Sequence, residues 1–308
     1  MAGRVALSGR GHDADTPSGI PARGWREVLR RTLGRASEER LLTEAAGVAF
    51  YAVFALLAAL AGLVSSWALL GDPAVLERRV NDAAGTLPAG LPEIIGQLLA
   101  AGADRGPAPP GLVALGGLAA ALWGATAAAQ ALLGALNLAY GEHECRGALR
   151  LAVLSLAIAL GGALFALLGL GAFLALPEVV GRGGSAGALL GLLRWPALLA
   201  AAAAGLAALY RFGPCRAEPR WRWVGWGGVF AAVAWVLGSA AFSWYARRLG
   251  GYGAVYGPLG AVVAFMTWAW LSAAAVLAGA LLNAEAERQT VRDTTVGPRA
   301  RGWPTLQG

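Results

Sequence analysis

Residues 224–245 read VGWGGVFAAVAWVLGSAAFSWY, and residues 258–284 read PLGAVVAFMTWAWLSAAAVLAGALLNA. Neither stretch contains a charged side chain, and each exceeds the roughly 20 apolar residues that a helix needs to cross about 30 Å of hydrocarbon. Aromatic rings that favour the depth of the lipid headgroups stand at the ends of these stretches and between them: Trp221, Trp223, Trp226, Trp244, Tyr245, Tyr252 and Tyr256. The two stretches therefore predict a helical hairpin in a lipid bilayer.

Four earlier stretches are also apolar and long enough to cross a bilayer: residues 45–70, 111–140, 151–176 and 186–210. Of the 308 residues, 57% are hydrophobic and 14% are charged, whereas a soluble domain carries about 25% charged residues. We therefore predict an all-α, multi-pass transmembrane bundle of six spans within residues 37–286. A disordered tail is expected at residues 1–20 and a polar tail at residues 287–308. In the fourth span, regular helix is expected to begin at Pro196, because proline is favoured at the first helical position.

Arginine supplies all 25 basic residues and predicts the orientation of the bundle. With six spans and the N-terminus inside, 18 Arg residues fall in segments assigned to the cytoplasmic side and 6 in segments assigned to the outer side. Positive charge accumulates in cytoplasmic loops of membrane proteins. Both termini are therefore predicted to be cytoplasmic, and the net charge of +7 is interpreted in this way rather than as a sign of nucleic-acid binding.

Residues 21–36 have the pattern of a basic amphipathic helix. Apolar side chains recur at helical spacing, and Arg side chains cover the remaining surface: the apolar set is Trp25, Val28, Leu29 and Leu33, and the basic set is Arg26, Arg30, Arg31 and Arg35. Such a helix is typical of binding to anionic lipid headgroups. The alternative is that it packs against the protein's own cytoplasmic loops.

Three motifs in the C-terminal half carry a family resemblance. They read LYRFGPCRAEPRWRWVGWGG from residue 209, FSWYARRLGGYGAVYGPLGAVVAFMTWAW from residue 242 and GALLNAE from residue 279. The chain resembles the YihY or virulence-factor BrkB family of bacterial inner-membrane proteins. The positions matching the family pattern are Tyr210, Pro214, Tyr245, Tyr252, Tyr256, Gly257, Gly279 and Asn283. Leu281 stands where the family usually has an acidic residue, so a mechanism that needs that carboxylate does not transfer to this chain.

Among the polar side chains inside the predicted spans, four are candidates for a polar path or for helix packing: Gln130, Asn137, Ser272 and Asn283. Polar groups cannot face lipid cheaply, so we expect these side chains to point into the bundle. They could hydrogen-bond neighbouring helices, which contributes about 1 kcal/mol each. They could instead line a polar path for a substrate.

No set of residues with recognisable catalytic, cofactor or metal-binding spacing is present. The histidines, His12 and His143, stand far apart in a predicted tail and a loop, which argues against a histidine-based triad. Cys145 and Cys215 lie in predicted cytoplasmic loops, where thiols remain reduced. Together with His143 they are a poor match to the four closely spaced ligands of structural zinc. We therefore predict no cofactor and no metal.

The resemblance implies a non-catalytic role in the cell envelope of the bacterial inner membrane, such as transport or export of a small or lipidic substrate. Some members of the family are labelled ribonuclease BN, so a membrane-bound ribonuclease is the first alternative. Between the spans, however, the predicted cytoplasmic loops offer only Glu142, Glu144 and Glu218 to a metal-dependent nuclease. A scaffold that recruits a partner through the basic N-terminal helix is the second alternative. The oligomeric state is left open, and a homo-oligomer is compatible with the sequence.

Overall fold

The computed structural model describes residues 19–38, 40–70, 110–181, 184–216, 221–248 and 259–289, with isolated positions at 75, 78, 96 and 97. Over these ranges the chain forms seven long α-helices: α1 (Ala22–Glu38), α2 (Leu41–Leu70), α3 (Pro110–Tyr140), α4 (Ala148–Gly181), α5 (Gly184–Phe212), α6 (Trp221–Arg248) and α7 (Leu259–Arg288). The described residues contain no β-strand, which confirms the predicted all-α class.

Five stretches of the described helices are long and apolar enough to cross a membrane: Leu41–Ser66, Gly111–Tyr140, Ala148–Gly169, Gly225–Ala246 and Val262–Arg288. α5 supplies a shorter apolar stretch, Pro196–Phe212. The multi-pass architecture follows from these stretches. A sixth span and the cytoplasmic position of both termini remain predictions.

α5 does not begin at Pro196. The helix runs unbroken from Gly184 to Phe212 with this proline inside it, so the predicted start of regular helix was wrong. A proline in a helix interior removes one backbone donor and crowds the preceding turn. Membrane helices tolerate this cost when neighbouring helices support them, and α5 packs against both α4 and α6.

The six helices α2 to α7 form a closed ring. Each packs against its successor in the chain, and α7 completes the ring by packing against α2. α7 also reaches α3 and the N-terminal helix α1, which places it at the centre of the packing. This order follows chain neighbours, as expected when short connections join antiparallel helices.

Glycines bring α2 and α3 into close contact. A β-carbon at Gly117 would lie 2.7 Å from the Cα of Gly62, and one at Gly124 would lie 3.1 Å from the Cα of Ala55. Small residues let membrane helices approach until their backbones touch, which adds dispersion contacts where no hydrophobic force acts between helices in lipid. The pair α2–α3 is therefore a rigid side of the ring.

Packing differs between one end of the bundle and the middle of α4. At the C-terminal end of α7, every residue from 279 to 287 is buried. Halfway along α4, every residue from 160 to 168 is exposed, which covers all sides of about two and a half helical turns. The helices thus converge at the end that holds the C-terminus of α7, whereas the middle of α4 lies apart from its neighbours.

α1 packs on the converged end of the bundle. Its Val28 is fully buried in a cluster with Ile20, Leu282, Ala286 and the partly buried Trp25. The structure therefore places one face of this helix against the protein. Leu29 and Leu33 are 45% and 73% exposed, so they do not share the buried face of Val28.

Candidate functional site: a buried closure at one end of the bundle

Five buried or half-buried side chains meet where α3, α5 and α7 converge, and we call them the closure cluster: Tyr140, Tyr210, Arg216, Asn283 and Glu287. The two tyrosines end or nearly end α3 and α5, and the acidic and amide residues stand on the last turns of α7. Arg216 follows α5 in the short segment 213–216. These elements place polar groups at the point where the surrounding apolar core stops.

An ion pair lies at the centre of the closure cluster. Nη1 of Arg216 donates to both carboxylate oxygens of Glu287, at 2.8 and 2.9 Å, and both side chains are almost fully buried. Nη2 of Arg216 donates to the backbone oxygen of Tyr210 at 3.1 Å, and the guanidinium lies 4.2 Å from the ring centre of Tyr140. Buried charges persist only when they are paired and hydrogen-bonded, and these contacts provide partners for both Nη atoms of Arg216, whereas its buried Nε has no hydrogen-bond partner among the described residues.

A second ion-paired group ties α1 to α7. Glu285 is 2% exposed and accepts from Arg31 at 2.9 Å, from Arg35 at 2.8 Å and from Arg288 at 3.1 Å. Arg31 also donates to the side-chain oxygen of Gln289, which is fully buried. Arg31 and Arg35 of α1 therefore hold this helix to the Glu285 carboxylate, which also pairs with Arg288 on its own helix.

Asn137 joins the two short connections beside the closure cluster. Its side-chain oxygen accepts from the backbone N–H of Cys215 at 2.8 Å, and its side-chain nitrogen donates to Glu144 at 2.9 Å. Its backbone oxygen accepts from the N–H of Glu142 at 2.8 Å, in a helix-ending turn where Gly141 has a φ of 72°. A left-handed residue is the usual way to end such a helix, and glycine adopts it without strain.

Cys145 and Cys215 meet at this junction. The structure pairs their sulfur atoms in a disulfide, with Cα atoms 6.0 Å apart. The disulfide contradicts the sequence-based expectation of reduced thiols, because spacing along the chain does not reveal that the connection after α3 folds back onto residues 213–216. A carboxylate oxygen of Glu144 and both sulfurs lie within 4.8 Å of one another. One carboxylate and two thiols fall short of the four ligands of structural zinc, and the prediction of no metal stays a prediction.

The candidate residues of α7 contact α6 directly. The Asn283 side-chain oxygen accepts from the backbone N–H of Gly227 at 2.8 Å, and the Ser272 hydroxyl accepts from the indole of Trp235 at 3.0 Å. A β-carbon at Gly279 would lie 2.7 Å from the hydroxyl of Tyr210. That hydroxyl donates to the backbone oxygen of Val276 at 2.6 Å, so these family-motif positions hold helices together.

The other candidate residues are placed apart. Gln130 is exposed on α3, whereas Asn137, two turns further on, is buried. Pro214 is buried, and its backbone oxygen accepts from Arg146 at 3.2 Å. Tyr245 is 41% exposed near the end of α6. The candidates Tyr252, Tyr256 and Gly257 lie outside the described residues, as do residues 1–18 and 290–308 of the predicted tails.

Sequence reasoning missed the two carboxylates at the converged end of the bundle. Glu285 and Glu287 follow the last apolar span directly and were not singled out, although two carboxylates spaced by one residue at a span end are a visible pattern. Their importance depends on partners 71 and 254 residues away along the chain. Only the fold brings Arg216 and Arg31 to them.

A ring of apolar helices closed at one end by buried ion pairs defines a multi-pass helical membrane protein. The match to a family model agrees with this class of protein and identifies the family. Residues 32–303 match the model of the virulence factor BrkB family, which covers most of the chain, so the chain belongs to the BrkB family.

Individual relatives match shorter parts of the chain. It is 31% identical to the ribonuclease-like protein YfkH of Bacillus subtilis over 54% of this chain and 63% of that protein. It is 42% identical to a UPF0761 membrane protein of Paraburkholderia xenovorans over 28% of this chain and 20% of that protein. A UPF0761 membrane protein of Methylibium petroleiphilum is 36% identical over 33% of this chain and 24% of its own length. The chain thus spans less than two thirds of the length of these relatives, and no solved structure matches it.

Proposed function

We propose that this BrkB-family membrane protein is a non-catalytic passage for a lipidic or small substrate, which enters the open middle of the helix ring, and that the closure cluster limits its movement at the converged end. The observation that carries the proposal is the contrast in packing along the bundle. Residues 279–287 of α7 are all buried, and residues 160–168 of α4 are all exposed. A helix in a uniformly packed bundle buries at least one face, so α4 borders open space where a substrate could lie.

One face of α3 carries two of the polar candidates. Gln130 and Asn137 are seven residues apart and therefore share a helix face. Asn137 is buried against residues 213–216, whereas Gln130 is exposed on the same face. A polar side chain at membrane depth is costly in lipid, and a substrate or water in an open crevice would satisfy it. Gln130 is therefore the residue that we assign to the passage.

The side chains around the open region favour a lipidic substrate. The exposed residues of α4 are mostly large and apolar: Leu160, Leu164, Phe165, Leu167 and Leu168. Such a surface suits acyl chains, whereas an ion or a sugar would lose its hydration there without gaining hydrogen bonds. A headgroup could be received by Gln130 while the chains stay against α4.

A flux assay tests this proposal. The purified full chain is reconstituted in liposomes that contain a phospholipid with a fluorescent headgroup label, and dithionite added outside bleaches only the outer leaflet. We expect bleaching to proceed well beyond half of the label in vesicles that contain the protein. Gln130→Leu should lower the rate of bleaching beyond half at least fivefold. Thr267→Val, which lies in a shallow groove between α2 and α7, is the matched control and should keep the wild-type rate. Wild-type bleaching that stops at half, as in empty liposomes, would contradict a lipid passage.

We further propose that the protein is not a nuclease, although YfkH is described as ribonuclease-like. The carboxylates at the converged end already have cationic partners: Glu285 contacts three Arg residues and Glu287 contacts Arg216. Glu144 is held by Asn137 and by Arg146. Metal-assisted phosphodiester hydrolysis needs carboxylates that are free to bind the ion. Metal-dependent cleavage of RNA by the purified chain, lost in Glu144→Gln, would contradict this proposal.

The exposed side of α1 is our candidate contact for anionic lipid headgroups. Leu29 and Leu33 point outward together with the exposed Arg26 and Arg30, while Val28 anchors the opposite side to α7. Apolar side chains flanked by Arg are typical of binding at an anionic lipid surface. A helix docked in this way can contact lipid without leaving the protein.

A further inference from the structure

The segments after α3 and α5 meet through two cysteines that the passage does not use. Cys145 and Cys215 are 70 residues apart in the chain, yet their Cα atoms lie 6.0 Å apart, within the range that a disulfide spans. Cys145 is exposed and Cys215 is half-buried, so a small reagent can reach the pair from the surface. The chain contains two cysteines in all, so each thiol has one intramolecular partner available.

The surrounding hydrogen bonds hold both segments in this register. The side-chain oxygen of Asn137 accepts from the backbone N–H of Cys215. On either side of Cys145, a carboxylate oxygen of Glu144 accepts from the backbone N–H of Arg146 at 3.0 Å. Nη2 of Arg146 then donates across the gap to three consecutive backbone oxygens, those of Phe212, Gly213 and Pro214. These contacts are independent of the sulfurs, so the thiols stay close together when they are reduced.

We propose that Cys145 and Cys215 form a reversible redox site that locks the closed end of the bundle when it is oxidised. The co-reactant is a low-molecular-weight disulfide such as oxidised glutathione. The thiolate of the exposed Cys145 attacks it, which forms a mixed disulfide and releases one small thiol. The thiolate of Cys215 then attacks the Cys145 sulfur, which forms the protein disulfide and releases the second small thiol. Two protein thiols are oxidised, one small disulfide is reduced, and the two protons pass to the released thiolates.

The position of Cys215 explains the locking. Cys215 directly precedes Arg216, whose guanidinium holds Glu287 at the centre of the closure cluster. A disulfide to Cys145 fixes residues 213–216 to the end of α3 and so restricts any movement of Arg216 away from α7. If these segments are cytoplasmic, as the Arg distribution predicts, the disulfide belongs to the transient, redox-sensing kind found in that compartment.

Thiol counting on the purified full chain tests the site. The protein is reduced, exposed to oxidised glutathione, and then denatured and labelled with a maleimide that adds about 5 kDa per free thiol. We expect two labels before oxidation, none after it, and two again after dithiothreitol, with the chain running as a monomer throughout. Cys145→Ser and Cys215→Ser should each retain one glutathione per chain. The double substitution Cys145→Ser with Gly147→Cys moves the thiol two residues and should slow intramolecular oxidation at least tenfold.

The proposal also predicts a change in stability. Oxidation should raise the apparent melting temperature of the wild type by roughly 5 °C or more and leave both single serine variants unshifted, because only a closed loop restricts the unfolded chain. Two free thiols after oxidation, or a disulfide between two chains, would overturn the proposal. One zinc ion bound per chain that keeps both thiols free under the same treatment would overturn it as well and would assign Glu144, Cys145 and Cys215 to a metal. A disulfide that dithiothreitol leaves intact in the folded protein would overturn its reversibility.

Discussion

Arg216 and Glu287 form a salt bridge from which water is almost fully excluded: their side chains are 0% and 2% exposed, and one guanidinium nitrogen lies 2.8 and 2.9 Å from the two carboxylate oxygens. Arg216 reaches this position from a four-residue segment after α5, and Glu287 stands on the last turn of α7. The pair therefore joins the segment that follows α5 to the last turn of α7. Its rupture would separate the segments that close the bundle.

Removing one partner of this pair should be costly. We expect Glu287→Gln to lower the free energy of unfolding by about 3 to 5 kcal/mol, because Arg216 would remain buried without its counter-charge. The matched control is Glu27→Gln, which breaks a 3.4 Å pair with Arg31 whose side chains are 35% and 37% exposed. Water screens that pair, so its loss should cost no more than about 0.5 kcal/mol. Equilibrium unfolding of both variants in mixed detergent micelles measures the difference. Equal effects would show that the closure cluster does not stabilise the bundle.

The crossing of α6 and α7 depends on two glycines. A β-carbon at Gly279 would lie 2.6 Å from the backbone oxygen of Gly227 and 2.7 Å from the Cβ of Ala231. We expect Gly279→Ala to destabilise the protein by about 1 to 3 kcal/mol, because backbone atoms cannot move aside without shifting a helix. Gly238→Ala on α6 meets nothing within 4 Å and should be neutral or stabilising by up to about 1 kcal/mol. Thermal unfolding of the two variants distinguishes these outcomes, and a neutral Gly279→Ala would contradict the close crossing.

The two sides of α1 should respond differently to a charge. Val28→Asp places a carboxylate in the fully buried cluster with Leu282 and Ala286 and should release α1 from the bundle. Leu33→Asp changes a side chain that is 73% exposed and should leave α1 docked. Limited proteolysis measures the release of α1. Cleavage within residues 22–38 should be faster than in the wild type for Val28→Asp and unchanged for Leu33→Asp.

Vesicle flotation measures lipid binding by the exposed side of α1, which carries Leu33. Because binding at a lipid surface depends on apolar side chains as well as on Arg, Leu33→Asp should weaken the association of a soluble α1 peptide with phosphatidylglycerol vesicles by about tenfold. The peptide without substitution, on phosphatidylcholine vesicles, is the control and should bind weakly. Unchanged binding by the Leu33→Asp peptide would remove Leu33 from the lipid contact.

Sequence alone predicted the helices but not the contacts between them. Apolar length and the absence of charge predict helices such as α3 and α7, because lipid admits backbone only when its hydrogen bonds are satisfied internally. Which helix faces meet depends on small residues and long-range pairs, as at Gly62 and Gly117, and a single sequence does not show which distant residues pair. Pro196 was misplaced for the same reason, because the support that a proline receives inside α5 comes from neighbouring helices.

Two of the three amide candidates, Asn283 and Gln130, separate into different roles. Asn283 is 1% exposed and its side-chain oxygen accepts from Gly227, so Asn283→Leu removes an acceptor from a buried donor and should cost about 1 to 3 kcal/mol of stability. Gln130 is exposed, so Gln130→Leu should leave the free energy of unfolding within about 0.5 kcal/mol of wild type while lowering lipid flux. Unfolding and dithionite bleaching measured on the same two preparations distinguish these effects. If Gln130→Leu destabilised the protein as much as Asn283→Leu, its side chain would be part of the helix packing, and the passage would have to be assigned to other residues.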